Sequence, residues 1–241
     1  VPGLRRATAA SLVAVTIAIG AGSGSVGATA PIAWSAARLH AYTATYRITR
    51  NGTGAVVGSE RVQVTLAGAV ARLRQTLTVG GEVETDSLTL AARGLALKTL
   101  AERLAAAGQV VSIDATARGR ALAVRADVAG KREAFTMAAP AGSPWIENEA
   151  LLVTLAAVPL RPGEESIVDD LVVQHDTIAR LGLAVGKRTT VRTGAGTFTC
   201  LAVTMASLGG NQTVWVSTGR APVMVRYANA ATTFTLTALR P

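Results

Sequence analysis

The chain reads as mainly β: an antiparallel meander forming a curved sheet, an open barrel or a sandwich, with one central helix packed on it. Three observations predict this. Apolar residues alternate with polar ones at period two along most of the chain, the mark of strands with one wet and one buried face. Turn dipeptides rich in Gly and Asn punctuate the alternation, and one Leu- and Val-rich stretch breaks it.

The first segment stands apart from that pattern. Val1 to Ala10 carries Arg5 and Arg6 and no acid, an apolar run spans Ser11 to Ala21, and small residues follow through Ala30. This predicts a signal peptide over 1–28, cleaved after Ala28, with 29–241 as a single β-rich domain exported to the periplasm or beyond. The apolar run of about a dozen residues is shorter than the roughly 20 a spanning helix needs, so no permanent membrane span is expected.

From Tyr42 onward the strands follow in order. Val62, Val64 and Leu66 alternate with Arg61, Gln63 and Thr65, and Leu73, Leu77 and Val79 alternate with Arg72, Arg74, Thr76 and Thr78. The pattern recurs at Leu88 and Leu90, at Leu122, Val124, Ala126 and Val128, and at Phe234, Leu236 and Ala238. Asn51-Gly52 predicts a tight hairpin, and Gly80-Gly81, Gly194-Ala195-Gly196 and Gly209-Gly210-Asn211 predict further reversals. Ala96 to Gln109 is ambiguous: Leu97, Leu100 and Leu104 have helical spacing, but β context overrides local propensity and the segment is assigned as strand.

The break in period falls at 146–158. Ser143 as N-cap, Pro144 at the first helical position, Glu147 and Glu149 at the positive end of the dipole and Pro159 as the stop together predict a helix. It divides the strands into groups at about 42–139 and 165–239.

Composition excludes several functions. With 49% hydrophobic residues the chain is globular, and one Cys forms neither a disulfide framework nor a Cys-based zinc site. The net charge is +9, from 24 Lys plus Arg against 15 Asp plus Glu, but the arginines are spread singly, with no cluster and few aromatics beside them. Nucleic-acid binding is therefore not expected; dispersed positive charge suits solubility or loose contact with anionic envelope surfaces.

No candidate for chemistry survives on sequence grounds. Cys200 lacks a neighbouring base, since the only histidines are His40 and His175, and reads as a buried, inert thiol. His175 and Asp176 with Asp169, Asp170, Glu164 and Glu165 read as a solvated loop, lacking zinc or calcium-loop spacing. Glu147 and Glu149, two apart on a helix, point to different sides and do not make an acid and base pair. The sequons at Asn51 and Asn211 sit in turns, where Asn has conformational reasons to be. Catalytic, cofactor-binding and metal residues are accordingly assigned as none, and the protein is not expected to be an enzyme.

Three phrases carry a family resemblance. YRITRNGTGAVVGSERV gives an opening Tyr strand, a Gly turn and a second Gly at Gly58; GKREAFTMAAP leads to ENEALLVTLAAVPLRPGE; and VGKRTTVRTGAGTFTCLAV is followed by QTVWVSTGRAPVMVRY. In these the chain resembles the exported bacterial family known as domain of unknown function 3108, from about Tyr42 to Leu239. The resemblance implies a β-rich envelope protein loosely similar to open-barrel carriers of lipoproteins or lipids, and brings no catalytic residues with it. Two functions follow: a non-enzymatic binder or carrier of an apolar ligand such as a lipid or acyl chain, or a structural or assembly factor acting through envelope protein contacts.

Overall fold

The computed structural model describes residues 32–34, 37–138, 145–207 and 210–241. The predicted leader at 1–28, Ser143, Pro144 and Gly209 lie outside the described residues. Fifteen strands make one sheet. Eight follow in sequence: β1 (Tyr42–Arg50), β2 (Val56–Ala67), β3 (Val70–Val79), β4 (Glu82–Ala91), β5 (Leu97–Ala106), β6 (Gln109–Arg118), β7 (Ala121–Val128) and β8 (Lys131–Ala138). The short β9 (Trp145–Glu147) leads through a 3-10 turn at Asn148–Ala150 into α1 (Leu151–Ala157). The rest are β10 (Glu165–Val172), β11 (Thr177–Thr193), β12 (Gly196–Ser207), β13 (Gly210–Ser217), β14 (Met224–Ala228) and β15 (Thr232–Arg240).

Every pairing is antiparallel except that of β9 with β10. Each half is a meander, and β1 pairs with β15, so the first and last strands meet in the middle of the sheet. The two edges, β8 and β9, do not pair with each other, and the sheet remains open. A twisted sheet of more than about ten strands curls, splits or flattens; here Glu84 and Asp86 of β4 meet Glu149 of the 3-10 turn, so the sheet curls. Its inner face and α1 bury one apolar core, in which Tyr46, Ile48, Leu73, Leu100, Leu155 and Leu181 are fully enclosed. Among the described residues no helix is long and apolar enough to cross a membrane.

The mainly β architecture with one helix is as the periodicity predicts, and Ala96 to Gln109 is indeed largely strand. Its helical leucine spacing has a definite origin. Thr89 pairs with Thr99 but Leu90 pairs with Leu97, so Lys98 is an extra residue, and the bulge turns both Leu97 and Leu100 inward. A second bulge lies at Thr237, between the pairs Tyr46 with Leu236 and Thr45 with Ala238. It reverses the side-chain parity there, and Ala238 faces out instead of continuing the row of Phe234 and Leu236.

Two local expectations are corrected. Asn51-Gly52 does not close a two-residue hairpin: the Arg50 and Ala55 backbones bond across a longer loop, which the Asn51 amide ties to the Ala231 carbonyl at 2.8 Å. Gly80-Gly81 is the true two-residue turn, with φ of 59° and 91°. The helix also starts late. Trp145 to Glu147 are drawn into parallel pairing with Asp169 to Leu171, and the helix proper begins at Leu151. Glu147 caps this turn directly, its carboxylate accepting from the Glu149 and Ala150 amides at 2.9 and 3.2 Å.

Gly58 shows how closely the backbones approach. A Cβ there would sit 2.0 Å from the Thr78 carbonyl oxygen, whereas one at Gly182 would meet only Ala206, at 3.9 Å. Gly58→Ala should therefore cost about 3 kcal/mol, the upper end of overpacking penalties, and lower Tm by roughly 6–12 °C in a chain of this size. Gly182→Ala should leave Tm nearly unchanged, and thermal melts of the two variants check the contrast.

Candidate functional site

Register decides what the inner face carries. Directly paired residues share a face, and two rows run across β1 to β6. One places Tyr46, Glu60, Leu77, Glu84 and Leu104 side by side; the next places Val62, Gln75, Asp86, Glu102 and Ile113. Four carboxyls thus enter from β2, β4 and β5. From the other side come Glu147 at the end of β9, Glu149 in the 3-10 turn and Asp170 in β10.

These seven acids form one buried cluster. Asp86, Glu102, Glu147 and Asp170 are each 2% exposed or less. Glu60, Glu84 and Glu149 are half-buried and line a cavity. Among the described residues no Lys or Arg is buried, so the cluster has no resident counter-charge. One carboxylate oxygen each from Glu84, Asp86 and Glu149 lies within 4.8 Å of the others. Glu149 is held firmly: its Oε1 accepts from Asn148 at 2.8 Å and Gln174 at 3.0 Å, and its backbone carbonyl accepts from Gln75 at 2.5 Å.

Burial sets the protonation of the cluster, and mutual repulsion adds to it. Both push Glu60, Glu84 and Asp170 up to about 8. Asp86, facing Glu149, Glu84, Glu102 and Glu147, is pushed to about 11. Glu102 and Glu147 are raised well above the usual carboxylate range by the same causes. Burial raises Glu149 too, opposed by its bonds to Asn148 and Gln174.

The cavity occupies about 140 Å³ between the inner face of the sheet and the helix. Its apolar wall includes Ile48, Leu77, Val79 and Phe234 from the sheet and Leu151 and Leu152 from α1, and Glu60, Glu84 and Glu149 line it too. Tyr227 packs on Phe234 at 5.4 Å between ring centroids and donates its hydroxyl to Gln212 at 2.7 Å, closing the side near β13.

The residues considered from sequence fall in different places. His175 is exposed and reaches the cavity wall; His40 stacks against Tyr42 at 5.1 Å. Asp169 and Asp170 are not in a solvated loop but in β10, where both are buried, and Glu164 is buried as the cap of the Arg161 amide at 2.8 Å. Glu147 and Glu149 both enter the acid cluster, since the segment there is a strand end and a 3-10 turn, not the α-helix that would separate them. Glu60, Glu84, Asp86 and Glu102 escaped the sequence reading. Their signal was parity: each lies two residues along the strand from a buried apolar or acidic neighbour, as Asp86 does from Leu88 and Glu84 from Asp86.

Cys200 is fully buried, with Sγ 3.8 Å from the Phe198 carbonyl oxygen, and burial pushes its thiol up to about 11. A thiol reagent should leave it untouched in the native protein and label it on unfolding in guanidinium. The acids give a pH dependence of definite sign. Their folded values lie above the ordinary ones near 4, so the folded state binds the extra protons and stability is lost as pH rises from about 4 through 8. Tm should be lower at pH 9 than at pH 5 by about 5 °C or more, and a series of thermal melts across that range checks it.

No protein-family model matches the chain, and no curated protein matches it. Solved structures do. The chain is similar to the "beta-barrel-like protein of domain of unknown function DUF1849" from Brucella abortus, with a TM-score of 0.51 at 14% identity over 85% of this chain and 99% of that one. It also aligns with a "putative lipoprotein" from Parabacteroides distasonis, at a TM-score of 0.28 and 11% identity over 88% of this chain and 99% of that one. A "putative exported protein with YmcC-like fold" from Bacteroides fragilis aligns at 0.29 and 10%, again over 88% and 99%. The first of these establishes a shared fold: the open, curled sheet described above is β-barrel-like.

Proposed function

We propose that this chain is a non-enzymatic binding protein of the bacterial cell envelope whose cavity takes the apolar end of a lipid or acyl chain. The observation that carries the reading is the cavity between the curled sheet and α1, walled by Ile48, Leu77, Val79, Leu151, Leu152 and Phe234. Its 140 Å³ is close to the volume of an engineered apolar cavity that takes up benzene, and below the roughly 300 Å³ of a site that encloses a whole drug-sized ligand. What it admits is the end of a chain, with the remainder lying outside. Envelope location draws support from the leader-like composition of the first 28 residues.

An assembly factor working by β-augmentation would call for a long, bare edge strand. The edges here are unlike that: β9 has three residues, and β8 carries Lys131, Arg132 and Glu133 at its start. Short or charged edges resist addition of a foreign strand.

Native mass spectrometry of the protein taken from its own cells, followed by organic extraction, tests the proposal. One acyl lipid per chain is expected. Leu152→Trp, which fills the cavity from the half-buried face of the helix, should lose that lipid while keeping the circular dichroism of the fold. A bare protein mass with no uptake of added fatty acid or phospholipid would transfer the argument to the assembly role.

A further inference from the structure

We infer that Glu84, Asp86 and Glu149 hold a hard divalent cation of the calcium or magnesium class beside the cavity that Glu84 and Glu149 line. Oxygens sharing one calcium ion at about 2.3–2.6 Å stand no more than about 5 Å apart, and the three carboxylates already meet that limit, within 4.8 Å of one another. The donors are all oxygen. Carboxylate sets of this kind suit calcium, magnesium or manganese, whereas zinc and copper sites usually bring nitrogen or sulfur ligands.

A second observation points to the same ligand. Asp170, on a different strand from all three, is completely buried, is close enough to Glu149 to be repelled by its charge, and has no hydrogen-bond partner for either carboxylate oxygen. Glu102 Oε2 and Glu147 Oε1 are likewise buried and unpartnered. Such groups are costly unless something positive or donating meets them, and no buried Lys or Arg among the described residues does. The site is also prepared in advance, since Asn148 and Gln174 fix the Glu149 carboxylate and Gln75 fixes its backbone. A cation here draws on acids from both halves of the chain, β4 on one side and the β9–β10 region on the other. The inference goes beyond the apolar-ligand reading and does not depend on it.

The test uses the full chain, stripped with a chelator and dialysed against about 1 mM calcium or magnesium at neutral pH. Elemental analysis should find about one metal ion per chain, and Tm should rise by about 5 °C or more over the stripped protein. In E84Q/D86N, which keeps the side-chain shapes, both responses should vanish while near-ultraviolet circular dichroism stays unchanged. Wild-type protein that binds neither metal overturns the inference, with no reference to any variant. So does a double variant that still takes up one ion per chain, or a Tm raised by choline or putrescine but by neither metal. None of these outcomes bears on whether lipid is extracted from the protein.

Discussion

The pairing of β1 with β15 is the constraint on which the rest of the structure depends. Without it the chain would be two meanders, each with an exposed edge and an unfilled inner face. With it the strands before and after α1 become one sheet, and the inner faces of the two halves look at each other. That is a contact between residues some 190 apart in sequence, such as Tyr46 with Leu236. Long-range pairing of this kind is slow to form and is rewarded only when both halves are in place. The Thr237 bulge belongs to the same seam: its hydroxyl donates to the Thr45 carbonyl at 3.0 Å, fixing the register at the point where the strand must bend.

Closure of that seam creates an interior with two characters. Around Ile48, Leu77, Phe234 and α1 it is apolar, as the period-two pattern requires. Toward β4, β5 and β10 it is lined with carboxyls. In a low-dielectric space like charges cannot all stay ionised, and the cheapest states are shared protons or a bound cation. Glu149 is the hub of this arrangement, because it repels almost every other acid in the cluster while amide donors from Asn148 and Gln174 favour its own charged form. The site therefore depends on the fold in a strict sense: Glu84 and Asp86 sit 63 to 65 positions from Glu149 and meet it only because the sheet curls.

Much of the fold was legible because a strand writes its exposure at period two. The alternations at Val62, Leu73, Leu88 and Leu122 correspond to buried rows, apart from Leu66 at the end of β2, which is 44% exposed. Parity is local, however, and a single bulge inverts it, which is why Leu97, Leu100 and Leu104 imitate a helix and why Ala238 faces out. The acids were hidden for a different reason. A charged residue in an alternating strand is read as part of the wet face, yet Glu60, Glu84, Asp86 and Glu102 share the parity of Val62, Leu88 and Leu100 and belong to the buried one. An α-helix would turn Glu147 and Glu149 to different sides, but the backbone there is a strand end and a 3-10 turn. Asp170 could not be found at all without knowing that β10 is covered on both faces.

The same segregation changes the meaning of the net charge. Dispersed arginines on a chain with 15 acids suggest a mild positive excess. Seven of those acids lie inside, so the exterior shows at most eight against 22 basic residues downstream of Arg6. The outer surface is thus far more positive than the formal sum, and the interior correspondingly acidic. An exterior of that sign draws the protein toward anionic surfaces at long range, while the inner acids, screened from solvent, attract cations only through the cavity. A single sequence total of +9 averages over both fields and reports neither.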